Sequence, residues 1–282
     1  MRKIQRTAPI LIFSMVLCFS ITGYSQTRVP DVHFEPTPEA TVITMLQKAG
    51  VNQNDVVYDL GCGDGRFVIL AAKKFGARGV GVDIDPVRIK ESKENARKAN
   101  VTDRTTFIEG DLFNVDIREA TVVTLYLLNE LNQQLRPKLF QELKPGSRIV
   151  SYTFDMADWE PDEMVQVGGR FFYYWVLPAT VGGTWYFRSV SFRGELQDQL
   201  ILNQEFQEIR GKVTVHGQEI RIRDQRLKGD QLSFSARYNF EGQNVSMKFN
   251  GRVTGDTIDG TVEIQGGPWA GTKPWKAQRV KQ

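Results

Sequence analysis

The segment from Val56 to Arg66 constrains the fold of this chain more than any other. It reads Val-Val-Tyr-Asp-Leu-Gly-Cys-Gly-Asp-Gly-Arg, an apolar run that leads directly into three glycines at alternate positions. A segment with the apolar periodicity of a helix follows. Glycines at a strand-to-helix turn permit positive φ and let a ligand approach the backbone where a Cβ would clash. The segment therefore predicts a strand, turn and helix that bind a nucleotide-type ligand.

The spacing of the glycines distinguishes between nucleotide ligands. A dinucleotide site has the pattern G-x-G-x-x-G and places a pyrophosphate at the N-terminus of the helix. Here Arg66 occupies the position of the third glycine. The glycines are instead Gly61, Gly63 and Gly65. Asp59, at the end of the strand, would repel a pyrophosphate but would hold a cationic amino group. These features favour S-adenosylmethionine, which carries no phosphate.

Two further predicted strands lead into acidic residues. The second strand, 79–83, ends at Asp83, where a carboxylate can accept hydrogen bonds from both ribose hydroxyls. The third strand, 105–109, precedes Asp111, which would accept from an adenine amino group. Three acidic side chains thus follow three successive strands.

In these motifs the chain resembles the class I S-adenosylmethionine-dependent methyltransferases. The motifs are Asp59-Leu-Gly-Cys-Gly-Asp-Gly65, Gly81-Val-Asp-Ile-Asp85 and Gly110-Asp-Leu-Phe113. The resemblance implies a Rossmann-like, doubly wound α/β sheet with S-adenosylmethionine as cofactor, and Phe34 and Thr37 closing over it. A Rossmann-like domain without catalysis, whose glycines serve only a tight turn, is the alternative. The predicted cofactor-binding residues are Asp59, Gly61, Gly63, Gly65, Asp83, Asp111 and Thr37.

Flanking segments resemble one family within this class, the ATP synthase c-subunit lysine methyltransferases and their bacterial relatives. The segments are Phe34-Glu-Pro-Thr-Pro-Glu39, Asp111-Leu-Phe-Asn114, 131–143 and Lys144-Pro-Gly146. This resemblance implies methyl transfer to a protein lysine side chain.

The methyl acceptor of this class binds after the fourth strand. In that region we predict that Tyr126, Asn129 and Glu130 contact the acceptor, with a helix cap at Asn129 and a solvated Glu130 as the alternatives. Residues 125–132 lack the Asp/Asn-Pro-Pro-Tyr signature expected for methylation of adenine or glutamine amino groups. The nitrogen of a planar base or amide is therefore disfavoured, and the predicted acceptor is a protein or a small molecule.

The distribution of charge argues against a nucleic-acid partner. The chain has 36 Lys and Arg against 33 Asp and Glu. Three of the cations, Arg2, Lys3 and Arg6, lie in the first 26 residues, which contain no acid. The charges of the remaining chain therefore cancel, unlike those of a typical nucleic-acid-binding protein.

The same N-terminal residues indicate an export signal. A basic start precedes an apolar run from Pro9 to Ile21, which is short for a membrane span. We expect cleavage near Ser25 and a periplasmic or extracellular location, with an uncleaved membrane anchor as the alternative. Loss of Cys18 would leave Cys62 as the only cysteine, and a packing role is favoured for Cys62 over a nucleophilic one.

Before Pro178 the sequence predicts alternating helices and strands, which include a helix with Thr37 as its cap and Pro38 as its first residue, and strands at 120–127 and 147–154. An antiparallel hairpin of 164–167 and 171–177 is predicted to follow.

Beyond Pro178 the pattern changes to short strands only. Turn residues recur between segments such as 213–215, 220–222 and 232–234, in which apolar and polar residues alternate. This predicts an antiparallel β-barrel or sandwich over 180–282, after a methyltransferase domain over 30–178 and a leader over 1–25. A filled core is favoured over a lipid-like cavity. The inward aromatic residues predicted for it are Phe187, Phe192, Phe206, Phe234, Phe240 and Phe249.

Neither histidine supports a metal site. His33 and His216 each lack a partner at the spacing of metal ligands. The sequence therefore predicts a methyltransferase with an accessory β-domain. The alternatives are an exported protein that binds S-adenosylmethionine without transferring its methyl group, and a module in which the β-domain binds a ligand or partner.

Overall fold

The computed structural model describes residues 34–191 and 194–280. The predicted leader, Cys18, His33 and Phe192 lie outside the described residues. Within them the chain forms an α/β domain followed by an antiparallel β-domain, as predicted. The predicted domain boundary falls in the segment between the seventh and eighth strands.

The first domain contains four helices and seven strands. The helices are α1 (Glu39–Lys48), α2 (Arg66–Phe75), α3 (Pro86–Ala99) and α4 (Asn129–Glu142). The strands are β1 (Val56–Leu60), β2 (Arg78–Asp83), β3 (Thr105–Glu109), β4 (Val122–Leu125), β5 (Arg148–Tyr152), β6 (Glu163–Val167) and β7 (Arg170–Val176).

These strands form one mixed sheet in the order β3-β2-β1-β4-β5-β7-β6. The first five strands of that order are parallel, and the predicted hairpin of β6 and β7 continues the sheet in antiparallel pairing. The order reverses beside β1, so β1 and β4 flank the point where crossovers run in opposite directions. In open α/β sheets, ligands bind outside the carboxyl ends of the strands at such a point.

Alternate residues of β1 supply apolar side chains to cores on opposite faces of the sheet. Val57 packs with Met45 of α1 and Leu70 of α2. Tyr58 packs on the other face with Leu135 and other residues of α4. Helices therefore cover both faces, which explains why the central strands are buried throughout.

Three predicted boundaries shift in the structure. Pro38, rather than Thr37, is the N-cap residue of α1, because Pro38 has an extended ψ of 138° and the helix begins one residue later. The predicted strand 120–127 shortens to β4, because the chain leaves the sheet at Tyr126. The predicted strand 147–154 ends at Tyr152, because Thr153 has a φ of 70° and turns the chain away.

The second domain consists of nine strands. They are β8 (Gly183–Ser191), β9 (Gly194–Glu205), β10 (Glu208–Val215), β11 (Gln218–Arg221), β12 (Arg223–Lys228), β13 (Gln231–Phe240), β14 (Gln243–Thr254), β15 (Thr257–Gln265) and β16 (Gly271–Arg279). All hydrogen-bonded neighbours are antiparallel, and the order is β11-β10-β9-β8-β16-β15-β14-β13-β12.

The predicted barrel is not closed by hydrogen-bonded strands. The two edge strands, β11 and β12, are consecutive in the chain and separated only by Ile222, so they do not pair with each other. Inward side chains fill the concave side of this sheet. The Phe234 and Phe249 rings stack at a centroid distance of 4.6 Å, and Trp275 lies 5.2 Å from Phe249.

One predicted core aromatic residue of the β-domain belongs elsewhere. Phe206, in the turn between β9 and β10, packs against the core of the first domain and stacks on Trp159 at 5.9 Å. The indole N–H of Trp159 donates to Gln207 Oε1 at 2.8 Å, and the Gln207 amide donates to the Glu160 carbonyl at 2.7 Å. Trp159 itself is 1% exposed. The two domains therefore share a partly buried aromatic seam, which we define as the rings of Phe140, Trp159 and Phe206 with the adjoining Gln207.

Among the described helices, none has the length and hydropathy needed to cross a membrane. The same residues contain no group of three metal-ligating side chains placed to hold an ion. His216 lies in the turn after β10, where its ring is 4.3 Å from that of Trp269.

Candidate active site

A cavity of about 970 Å³ opens at the carboxyl ends of β1, β2, β3 and β4. This volume lies at the upper end of the range of about 300–1,000 Å³ typical of small-molecule sites. Six carboxyl groups and two guanidinium groups face it. They belong to Glu35, Asp59, Asp64, Asp83, Asp85, Asp111, Arg66 and Arg88.

The glycine loop between β1 and α2 supports the cavity in a way that the sequence did not indicate. Gly61, Gly63 and Gly65 all have positive φ, as predicted for this turn. Of the three, Gly61 lines the cavity. A Cβ on Gly63 would meet the Phe34 ring at 2.3 Å, and a Cβ on Gly65 would meet Phe107 and Ser92 at 2.8 Å. These two glycines therefore make room for protein side chains.

Asp83 fixes the shape of the loop. Its Oδ2 accepts from the Gly63 amide at 2.8 Å, and its Oδ1 accepts from the Asp85 amide at 2.9 Å. Each carboxylate oxygen has further lone pairs, so Asp83 can still accept hydrogen bonds from a ligand in the cavity. The two hydrogen bonds from backbone amides hold the Asp83 carboxylate in a fixed orientation at the cavity.

Asp59 is a buried carboxyl group at the base of the cavity. Its exposed fraction is 3%, and its Oδ1 accepts from the Thr124 hydroxyl at 2.7 Å. Burial is the largest cause that raises the pKa of Asp59, to about 8, while the Thr124 hydrogen bond lowers it and the Asp83 carboxylate raises it further. The buried carboxyl group is therefore protonated at neutral pH in the ligand-free protein, and a cationic group beside it would stabilise its charged form.

The two other predicted cofactor residues also lie on the cavity. Asp111 accepts from the Phe113 amide at 3.0 Å and lies beside Leu112. Thr37 is buried, and its carbonyl accepts from the Arg66 guanidinium, which also pairs with Asp64. Arg66 thus ties the segment before α1 to the glycine loop.

Of the three residues predicted to contact the acceptor, one lines the cavity and two do not. Tyr126 lines the cavity. Asn129 and Glu130 are exposed in the first turn of α4 and are not among the residues that line it. Leu128 is the N-cap residue of α4, so a capping role for Asn129 is wrong, and the helix has no side-chain cap because a leucine occupies that position.

Sequence reasoning missed Phe154, which lines the cavity beside Tyr126. It follows Thr153, a β-branched residue with a φ of 70°, a conformation that such residues rarely adopt. Asn132 holds this loop, since its amide donates to the Phe154 and Asp155 carbonyls at 3.2 and 3.1 Å. The Ser151 hydroxyl donates to the Phe154 carbonyl at 2.6 Å. A conformation maintained by buried polar groups beside a cavity indicates a functional constraint.

Comparison with known proteins identifies the class. The family described as ANTKMT methyltransferase domain matches residues 59–163. A protein-lysine N-methyltransferase of Saccharolobus islandicus is 51% identical over 140 residues, which cover 49% of this chain and 87% of that protein. The chain belongs to the class I S-adenosylmethionine-dependent methyltransferases. The resemblance read from the sequence motifs is thereby confirmed.

Other relatives of this methyltransferase match the same domain. The ATP synthase c-subunit lysine N-methyltransferase of Xenopus laevis is 28% identical over 56% of this chain and 68% of its own length. A crystal structure described as an RNA methyltransferase from Salinibacter ruber with S-adenosyl-L-homocysteine is 52% identical, with a TM-score of 0.51. It covers 52% of this chain and 96% of that chain. The matches thus extend over about half of the present chain.

The cavity of this methyltransferase fits S-adenosylmethionine, the cofactor of the class. A buried carboxyl at Asp59 suits the cationic amino group, Asp83 suits the ribose hydroxyls, and Asp111 suits the adenine amino group. When bound, the cofactor supplies a methyl group on a sulfonium. Cys62 belongs to the glycine loop and packs in an apolar cluster with Val68 and Phe107. Burial raises the pKa of its thiol far above the ordinary value, which favours the packing role over a nucleophilic one.

Cofactor binding to this methyltransferase is expected to release a proton from Asp59. Because its pKa of about 8 lies above the ordinary 3.8, the carboxyl group of the ligand-free protein is protonated at neutral pH. A cationic amino group requires the carboxylate, so affinity should fall about tenfold per pH unit below pH 8. Calorimetry at neutral pH in two buffers of different ionisation enthalpy measures the proton released.

An Asp59→Asn variant provides the control for this linkage. It should bind the cofactor weakly, and its affinity should not depend on pH over the same range. In the ligand-free protein, the raised pKa makes stability fall as pH rises from about 4 to about 8, since only the folded state retains the proton. Asn at this position should remove that slope from thermal unfolding data. A pH-independent affinity of the unmodified protein would contradict the assignment of Asp59.

Proposed function

We propose that this protein transfers methyl groups from S-adenosylmethionine to lysine side chains of proteins. The observation that carries the proposal is the charge of the cavity, where, besides the protonated Asp59, five carboxyl groups outnumber two guanidinium groups. An acidic cavity attracts a cationic acceptor and repels the phosphates of RNA. The lysine N-methyltransferase activity in the names of two relatives supports the same acceptor.

Tyr126 and Phe154 provide an apolar wall for such an acceptor. Their rings stack at a centroid distance of 6.2 Å, and both line the cavity with the predicted cofactor residues. The methylene chain of a lysine would pack along these rings, and the faces of the rings would favour a cationic head group. Holding the amine in line with the methyl group supplies much of the rate of such a transfer.

A lysine must be neutral when it attacks, and Tyr126 does not remove its proton at neutral pH. Burial, the largest cause, and the hydrogen bond with Glu35 raise the pKa of the Tyr126 phenol above its ordinary value. The phenol therefore remains protonated and acts as a contact. The open mouth of the cavity lets the proton of the ammonium leave to solvent.

Methylation assays with matched acceptors test this proposal. The full chain and S-adenosylmethionine are incubated with a lysine-rich unfolded protein, with the same protein after chemical acetylation of its lysines, which removes the nucleophilic amines, and with an RNA transcript. We expect methyl groups, located by mass spectrometry, only on the protein with free lysines. Labelling of RNA alone would overturn the proposal. Cofactor binding without labelling of any acceptor would instead support a binding protein.

We also propose that the N-terminal segment directs this protein to the cell envelope. The basic start and the apolar run from Pro9 to Ile21 support this proposal. Fractionation of cells that express the full chain tests it, together with mass spectrometry of its N-terminus. Processing near Ser25 is expected. An intact N-terminus in the membrane fraction would support an uncleaved membrane anchor. An intact chain in the soluble fraction would contradict both the cleaved signal and the anchor.

A further inference from the structure

Three side chains from distant parts of the chain meet at the mouth of the cavity. Glu35 precedes α1, Tyr126 follows β4, and Arg170 begins β7. Arg170 Nη2 lies 3.0 Å from Glu35 Oε1, and Arg170 Nη1 donates to the Tyr126 hydroxyl. Arg170 thus contacts both the Glu35 carboxylate and the Tyr126 hydroxyl. The three groups form a connected polar cluster.

Two members of the cluster belong to the wall of the cavity, and the third packs behind them. Glu35 and Tyr126 line the cavity, whereas Arg170 is not among the lining residues. Two aromatic contacts hold Tyr126 in place, with Tyr152 at a centroid distance of 4.9 Å and Phe154 at 6.2 Å. Arg170 lies over the Tyr152 ring at 6.0 Å. The cluster therefore offers a fixed carboxylate and hydroxyl beside an aromatic wall.

The Glu35 to Arg170 ion pair contributes little to stability. The side chains are 58% and 44% exposed, and solvent screens the attraction between exposed charges. An incoming cation can therefore share or take the carboxylate at small cost. An ammonium group has three donors, which match the acceptor oxygens of Glu35 and Tyr126.

We propose that Glu35 and Tyr126 bind the ammonium group of the acceptor lysine, and that Arg170 positions them. This inference rests on the proposed function, in which lysine is the methyl acceptor. It adds the residues that recognise the ammonium group of that lysine. Glu35 is the specificity-determining residue, because its carboxylate favours lysine over a neutral side chain of similar length. Arg170 acts through the other two and is a positioning residue.

Kinetics of a Glu35→Gln variant test the proposal, with Glu39→Gln as the matched control. Glu39 is also exposed and lies only four positions away, but it does not line this cavity. We expect the KM for a lysine peptide to rise about tenfold in Glu35→Gln, because the neutral amide cannot form the charge-assisted hydrogen bond with the ammonium group. The kcat and the affinity for S-adenosylhomocysteine should change less than about twofold. Glu39→Gln should leave all three values unchanged.

A binding measurement separates this inference from the proposed function. The protein, saturated with S-adenosylhomocysteine, is titrated with a lysine peptide and with the same peptide carrying norleucine in place of lysine. We expect preference for lysine in the unmodified protein, loss of that preference in Glu35→Gln, and partial recovery in Glu35→Asp. Lysine methylation with an unchanged KM in Glu35→Gln would overturn this inference alone. Equal binding of the two peptides, together with no methylation of lysine, would overturn both.

Arg170→Ala tests the positioning role. Its KM for the lysine peptide should rise less than that of Glu35→Gln, and Arg170→Lys should restore part of the loss because an ammonium can still pair with Glu35. A structural role alone would change the thermal stability without changing the KM. An unchanged KM in Arg170→Ala would contradict the positioning role.

Discussion

Replacement of Asp83 by alanine is expected to weaken S-adenosylhomocysteine binding by at least about 100-fold. The carboxylate accepts from the amides of Gly63 and Asp85, and it lines the cavity where the ribose hydroxyls would bind. Hydrogen bonds to a charged acceptor contribute about 1.5–3 kcal/mol each, and a loss of about 2.7 kcal/mol corresponds to about 100-fold in affinity. Calorimetric titration of the full chain measures the effect.

Two variants serve as controls. One keeps the shape of the Asp83 side chain without its charge, and the other removes an acidic side chain away from the cavity. Asp83→Asn keeps one acceptor oxygen and should lose about tenfold in affinity. Asp103→Ala removes an acid whose side chain is 74% exposed and should bind normally. Thermal unfolding must show that each variant is folded at the temperature of the titration. An Asp83→Ala protein that is folded and binds with unchanged affinity would exclude Asp83 from the cofactor site.

Gly65→Ala is expected to lower the free energy of unfolding by about 3 kcal/mol. Gly65 has a φ of 82°, which costs an alanine about 1–2 kcal/mol. The added Cβ would also lie 2.8 Å from atoms of Phe107 and Ser92, and overpacking of this kind costs about 1–3 kcal/mol. Both contacts belong to the packing around α3, so the methyl group has no open space to enter. Chemical denaturation measures the difference.

Gly217→Ala separates the two contributions. Gly217 has a φ of 80°, but nothing lies within 4 Å of the Cβ that alanine would add. The free energy of unfolding of this variant should therefore fall only by the cost of a positive φ at alanine, about 1–2 kcal/mol. The excess loss in Gly65→Ala reports the steric contact. Equal losses in the two variants would show that Phe107 and Ser92 move aside without cost.

The site residues that the sequence predicted are those whose positions follow from residues close to them in the chain. The glycine loop, Asp59 and Asp83 lie within or next to strand ends, and the order of parallel strands brings such ends to one edge of the sheet. The hairpin of β6 and β7 was predicted for the same reason, because its turn and its apolar strands are adjacent in sequence.

The parts that the sequence did not predict depend on contacts between distant residues. Glu35 and Arg170 are neighbours only because β7 inserts next to β5 and returns the chain to the cavity. Phe206 was assigned to the β-domain because its aromatic side chain lies in a strand-rich segment, whereas a turn directs it onto Trp159. The barrel was predicted from the alternation of apolar residues, which does not encode which strands pair, and in the structure β11 and β12 remain unpaired with each other at the two edges.

The aromatic seam predicts a pattern that sequences of homologues can test. The match to the Saccharolobus islandicus protein takes up 87% of that chain and the match to the Salinibacter ruber structure 96%, so neither has room for a comparable β-domain. A homologue without this domain would expose the surface that Phe206 and Gln207 cover here, and large apolar side chains are disfavoured in such positions. Aromatic residues aligned with Phe140 and Trp159 should therefore occur together with a C-terminal β-domain. Their presence or absence would date the fusion of the two domains within the family tree.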